Sequence, residues 1–255
     1  MADPVIGVRG VTMAYGDYVV MRDLDFDIAK GEIFVIMGGS GCGKSTLLRH
    51  LIGLNEPAAG RIMHGSVDFT AADKRTRDEV MRGVGVLFQS GALYSSLTLA
   101  ENVGLLLEEY VPELSPAEVR EVASLKLSLV GLKGFEDFYP SEISGGMRKR
   151  AGLARALALD PGVLCIDEPS AGLDPISSKL LDELIVELRD SLGTTVVIVT
   201  HELASIFAIG TNSVFLDVER RTMTALGDPR MLRDHADDPS VRTFLNRGVV
   251  PGAEP

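Results

Sequence analysis

The stretch "IFVIMGGSGCGKSTLLRHLIGL", Ile33–Leu54, decides the fold. Its first five residues form a continuous apolar run of the length and character of a strand buried on both faces. A loop with four glycines follows, and Lys44 stands at the mouth of a helix-like segment. Gly38–Ser45 fits the pattern G-x-x-x-x-G-K-[ST] between a strand and a helix, the context that gives this pattern physical meaning. Glycines let backbone N–H groups point inward, and together with the helix N-terminus they make an anion nest. Lys44 adds a charge for β and γ phosphates, and Ser45 offers a hydroxyl to Mg²⁺. The other reading is a glycine-rich turn with a solvated lysine. The strand and helix on either side favour a nucleotide triphosphate, with Gly38, Gly39, Ser40, Gly41, Cys42, Gly43, Lys44, Ser45 and Thr46 as candidate binding residues.

Working outward, three more short apolar runs recur, at 84–88, 163–166 and 196–199, with helix-like segments between them. Their order is that of an α/β fold with a parallel sheet. Each run ends at once in polar or glycine residues: Gly38, Gln89, Asp167 with Glu168, and Thr200 with His201. In open α/β sheets ligands sit beyond the carboxyl ends of the strands, so the four endings are expected to converge on one site. Ser115, Pro116 and Glu118 predict a capped helix closed near Gly131, and Asp174 followed by Pro175 predicts another. The alternation of 24–28 and parts of 61–69 predicts antiparallel hairpins in the N-terminal third. Residues of about 92–160 carry no strand pattern and read as a helical insert, while 249–255 look disordered.

The chain has 255 residues, 45% of them hydrophobic, enough for a sizeable core. A formal net charge of -11 disfavours nucleic acid as a partner, so any phosphate must be held locally. No apolar run approaches the ~20 residues of a membrane-spanning helix, and the first ten residues lack the pattern of a secretory signal, which predicts a cytoplasmic protein. Cys42 and Cys165 have no metal-ligand spacing and suit neither a disulfide framework nor a zinc site.

Two further segments narrow the class. In "VLCIDEP" a buried-strand pattern ends in two carboxylates: Asp167 suits magnesium, and Glu168 suits the polarisation of an attacking water. The alternative is a solvated acidic turn. In "SEISGGMRKRAGLARALAL" Ser144 is a helix cap, and Gly145 and Gly146 leave the first N–H groups unobstructed, a second anion site. Arg148, Lys149 and Arg150 lie in the first turns, where cations oppose the helix dipole, and read either as an approach for an anion or as a solvated basic face.

With these elements in this order, the chain resembles the ATP-binding subunits of ABC transporters over nearly its whole length. Gln89 matches the family's Q-loop, "AGLD" at 171–174 its D-loop, His201 its switch histidine, and Tyr15 the aromatic that stacks on adenine. The resemblance implies an α/β P-loop NTPase (RecA-like) core with an antiparallel β subdomain and a helical insert. The ATPase domain would span 1–228, with core 1–91 and 161–228, helical subdomain 92–160, and a C-terminal helix and tail at 229–255. It implies Mg-dependent ATP hydrolysis with Glu168, His201 and Gln89 catalytic, with Ser45, Gln89 and Asp167 around Mg²⁺, and with Tyr15 and Asp174 beside the nucleotide. Two copies would close head to tail, each P-loop facing the partner's Ser144, Gly145 and Gly146.

Two positions depart from the family pattern: Met147 stands where the signature usually has glutamine, and Gly39 where the P-loop usually has proline. The methionine, with "LFQSGALYSSLTLAENV" and "DPSVRTFLNRG", resembles the branch that powers lipid traffic with MCE (mammalian cell entry) proteins. That branch implies integral-membrane permease subunits, an MCE-domain protein, a small STAS-like accessory subunit, and a place on the cytoplasmic face of the inner membrane. An ATPase of a small-solute importer is the second reading. Leu93, Tyr94 and Leu97, after the Q-loop, are expected either to receive a permease helix or to pack inside the insert.

Overall fold

The computed structural model describes residues 4–246. In chain order its strands are β1 (Ile6–Tyr15), β2 (Tyr18–Ile28), β3 (Ile33–Gly38), β4 (Ala59–His64), β5 (Val67–Asp68), β6 (Val84–Leu87), β7 (Val163–Asp167), β8 (Thr195–Val199), β9 (Asn212–Asp217) and β10 (Thr222–Gly227). The helices are α1 (Lys44–Leu51), α2 (Lys74–Arg82), α3 (Leu99–Tyr110), α4 (Pro116–Leu129), α5 (Gly145–Ala156), α6 (Pro175–Leu192), α7 (Leu203–Ile209), α8 (Pro229–His235) and α9 (Pro239–Leu245). The chain forms two compact units, one from the residues up to Val80 with those from Thr195 onward, the other from Met81–Thr194.

The first unit holds an antiparallel sheet in the order β2-β1-β4-β5, with Val8 opposite Phe26 on one side and Ile62 on the other. The alternation of β2 places Leu24, Phe26 and Ile28 inside and Asp25 and Asp27 outside, the pattern of a sheet with one face in the core. A second run of strands lies in the order β10-β9-β3-β8. β3 is parallel to both neighbours, with Ile33 opposite Val196 and Phe34 opposite Asn212. β3 and β8 are buried throughout, as their unbroken apolar sequences require. Phe26 and Phe34 stack at 5.3 Å between the two layers. The segment from 229, read as one helix, divides in two because Asp238 caps a fresh start at Pro239, and proline cannot continue a helix. The tail read as disordered, 249–255, lies outside the described residues.

In the second unit β6 and β7 pair in parallel, Val84 opposite Val163 and Leu87 opposite Ile166. Helices α3, α4 and α5 pack together beside them. α5 lies close on β6: a Cβ at Gly85 would stand 2.2 Å from the Ala156 carbonyl, and one at Gly152 would stand 2.8 Å from Leu87. Helix α3 begins with a reciprocal cap between Thr98 and Glu101, and α4 with one between Ser115 and Glu118.

Candidate functional site

The phosphate loop belongs to the first unit. Gly41 and Gly43 adopt left-handed conformations, φ 75° and 90°, which let successive N–H groups turn inward before α1 starts. Gly38 has φ 149°, and a Cβ there would meet the Leu216 carbonyl at 2.5 Å and Cys42 Sγ at 2.7 Å. Lys44 is buried, with its ammonium donating to the carbonyls of Gly38 at 3.1 Å and Gly39 at 3.0 Å. The charge is thus presented inside the loop rather than to solvent. Burial pushes the Cys42 thiol up, against the opposing pull of Lys44, and burial alone pushes Cys165 up to about 12. Both stay protonated and unreactive at neutral pH.

Tyr15 and His201 lie in the same unit. Tyr15 ends β1 with an exposed ring whose hydroxyl accepts from Asn55 Nδ2 at 3.2 Å, so its face is available for stacking. His201 follows β8, and because Ile36 is opposite Val199, the ends of β3 and β8 lie side by side. Its Nε2 is 3.7 Å from Glu202 Oε1.

The second unit brings Gln89, Asp167, Glu168 and the start of α5 together. The β6 and β7 register sets Gln89 beside the carboxylate turn. Asp167 and Glu168 are both buried, and Glu168 is held in the left-handed region at φ 47°, an uncommon conformation for a residue with a side chain. Ser144 caps α5, accepting from Met147 N–H at 3.2 Å. Neither Gly145 nor Gly146 has a positive φ, and a Cβ on either would meet nothing nearer than 3.7 Å. Asp174 caps α6, accepting from the N–H groups of Ile176 and Ser177 at 3.0 Å each and from the Ser177 hydroxyl at 2.5 Å. These bonds, the Ser177 hydroxyl's first, hold its carboxyl below the usual range.

The three cations in the first turns of α5 are directed at backbone carbonyls rather than displayed as an approach for an anion. Arg148 donates to Ile143 at 2.7 Å, and Arg150 to Val130 at 3.1 Å and Gly131 at 3.2 Å. Lys149 is buried and donates to the carbonyl of Gln89 and, at 3.4 Å, to that of Glu168. Burial lowers its pKa, while Asp167 and Glu168 oppose that shift. Farther along, Arg155 donates to the carbonyls of Ala92 and Gly91. Sequence reasoning also missed Asn102, fully buried, whose amide donates to the carbonyls of Tyr94, Leu97 and Thr98 and whose oxygen accepts from Tyr94 N–H. A lone amide in the apolar stripe of α3 was its signal. Leu93 and Leu97 are half-buried, and Tyr94 is exposed. Tyr94, Phe88, Ala92, Leu106, Arg155 and Pro161 line part of a groove of about 440 Å³.

Ser45 in the first unit carries a hydroxyl and Asp167 in the second a carboxylate, both oxygen donors of the kind a hard dication takes. Among the described residues no three His, Cys, Asp or Glu side chains gather as a protein-only metal cage.

Residues 21–171 match the family model of the ABC transporter. The chain is 41% identical over 241 residues, 94% of its length and 68% of the relative's, to a protein of Mycobacterium leprae named a probable ribonucleotide transport ATP-binding protein, mkl. It is 35% identical over 251 residues, 98% of its length and 91% of the relative's, to the intermembrane phospholipid transport system ATP-binding protein MlaF of Escherichia coli. Among solved structures it is similar to a dimeric ATP-binding cassette in a post-hydrolysis state bound to ADP and Pi. That likeness has a TM-score of 0.79 at 29% identity and covers 88% of this chain and 98% of the other.

Proposed function

Since this chain belongs to the ABC transporter family and is an ATP-hydrolysing subunit of it, we propose that two copies power a membrane permease that moves phospholipid. The observation that carries the shared site is the pair Gly145 and Gly146. Glycine at two helical positions costs up to ~1 kcal/mol each relative to alanine, and neither the backbone conformation nor the space around these residues calls for it. A phosphate that comes close to the helix start explains both. The chain's own phosphate loop has its own nest, so the second nest suits the nucleotide of a partner copy, and the dimeric relative supports that reading.

Within each composite site Lys44 and the loop N–H groups hold the β and γ phosphates, and Tyr15 stacks on the base. Ser45, Asp167 and Gln89 would hold Mg²⁺, which supplies charge neutralisation between the phosphates when bound. Glu168 accepts a proton from the attacking water, and His201 and Gln89 orient the γ phosphate and that water. Hydrolysis reopens the pair of chains, and the groove beside Tyr94 passes the movement to a permease helix. Among the described residues no helix is long and apolar enough to cross a membrane. Attachment through the permease would hold the chain at the cytoplasmic face. An MCE-domain protein and a small STAS-like subunit complete the proposed complex.

The names of the relatives divide over cargo, phospholipid or ribonucleotide, and MlaF supports the first. Purification of the tagged chain from its native membrane, with partners and bound small molecules identified, tests this. A permease and an MCE-domain protein carrying phospholipid are expected. A permease without either, or one that carries nucleotide, overturns the lipid reading. In the purified complex Glu168→Gln should hold ATP and lose hydrolysis by about 10²-fold or more, whereas Lys44→Ala should lose ATP binding itself.

A further inference from the structure

Two residues other than glycine, Glu168 after β7 and Ala92 after Gln89, are held in the left-handed region at φ 47° and 49°. Such conformations cost of order 1–3 kcal/mol and persist only where the surroundings enforce them. In both cases a cation from α5 reaches the carbonyl of the strained residue: Lys149 that of Glu168, Arg155 that of Ala92. The approach is possible because Gly85 and Gly152 let the helix lie directly against β6.

Lys149 differs from its neighbours in what it joins. The carbonyls taken by Arg148 and Arg150 lie in the turn before α5 and at the end of α4, away from the carboxylates. Lys149 bonds Gln89, 60 residues away, and Glu168, 19 residues on, and its ammonium is the shared point between the two loops. The Glu168 carbonyl also accepts from Ala171 N–H at 3.3 Å, which closes the turn that carries the carboxylate.

We propose that Lys149 is a positioning residue: through one buried ammonium it fixes the spacing between the loop at Gln89 and the turn at Glu168, and makes both follow α5. The proposal rests on the reading of Glu168 as the residue that takes the proton from water. Its consequence is that movement of α5 repositions the carboxylate and the Q-loop together. A misplacement of about 1 Å at a reacting group costs on the order of 10²-fold in rate, so loss of this tie should appear in turnover rather than in binding.

The test uses the full chain as Lys149→Met, Lys149→Arg and Lys149→Gln. Lys149→Met keeps an apolar stem and removes every donor. It should lower kcat about 10²-fold, with KM for ATP and Kd for a non-hydrolysable ATP analogue changed less than about threefold. Lys149→Arg, whose fork can serve two carbonyls, should recover to within about fivefold of wild type. Backbone hydrogen exchange at Gly91 and Ala171 should quicken in Lys149→Met and stay unchanged at Leu164–Ile166. Wild-type turnover in Lys149→Met, equal loss in the Met and Arg variants, a loss confined to KM, or unchanged exchange at Gly91 and Ala171 each overturns the proposal. If Lys149→Met does not fold, Lys149→Gln, with one donor arm left, gives the same readout at half strength. Failure of both to fold also overturns it, because the lysine would then serve the core. A wild-type chain that hydrolyses while Glu168→Gln hydrolyses equally well removes Glu168 from its role, and the exchange data still decide whether Lys149 holds the two loops.

Discussion

Helix α1 starts from glycines that the chain itself demands, whereas α5 starts from glycines that the chain could replace. Gly43, just before α1, has φ 90° and room for no Cβ, since one would stand 2.8 Å from Val20; Gly38 is tighter still. Gly145 and Gly146 have ordinary helical conformation, and a Cβ on either would make only ordinary van der Waals contacts, at 3.7 Å or more. The first set is a requirement of folding; the second, in the function proposed here, serves a phosphate that arrives. The same residue type therefore carries two meanings, and only the local conformation separates them.

The largest effect should come from Gly38→Ala. It sets a methyl group against the Leu216 backbone in a left-handed conformation, and the urea midpoint should report a loss of about 3 kcal/mol. A fully stable Gly38→Ala would break the comparison at its first term. Next comes Gly145→Ala, which should unfold at the wild-type temperature or above, because alanine gains up to ~1 kcal/mol in a helix, and should lose hydrolysis at least ~10-fold. Mixing sharpens it: Lys44→Ala chains with Gly145→Asp chains form dimers in which one composite site carries both defects and the other neither, so activity returns. No recovery on mixing would place the whole site within one chain. The smallest effect lies at the neighbouring cap, Asp174. Its carboxyl titrates below the usual range when folded, so its stabilisation is complete above the unfolded value of about 4 and disappears as the pH falls through the folded one. Asp174→Asn, a cap of similar strength that does not titrate, should match wild type at pH 7 and surpass it only below about pH 4, as read from urea midpoints.

The strands that carry the site were legible because each is a short unbroken apolar run, and β3, β7 and β8 are buried along their whole length. The phosphate loop was legible because its chemistry is local: glycines, lysine and hydroxyl within eight residues. What α5 does with its cations was not. Lys149 reaches the Gln89 carbonyl 60 positions away and Arg155 the Ala92 carbonyl 63 positions away, and a backbone carbonyl leaves no mark in a sequence. Positive charge after a glycine pair reads as an anion site until the fold shows where each side chain ends. The partners of Asn102 were hidden for the same reason, since three of its four bonds go to Tyr94 and Leu97, in a loop whose path only the fold reveals.

The left-handed backbone at Glu168 sets selection for stability against selection for activity at a single codon. Glycine is the residue that this conformation favours, and a one-base change converts glutamate to it. Such a chain would relax a strained turn and keep its phosphate loop; with Glu168 in its proposed role, it would bind ATP without turning it over. Populations under pressure for a sturdier fold alone would then drift toward a version that binds and stalls, and on this proposal the carboxylate persists only while turnover itself is under selection.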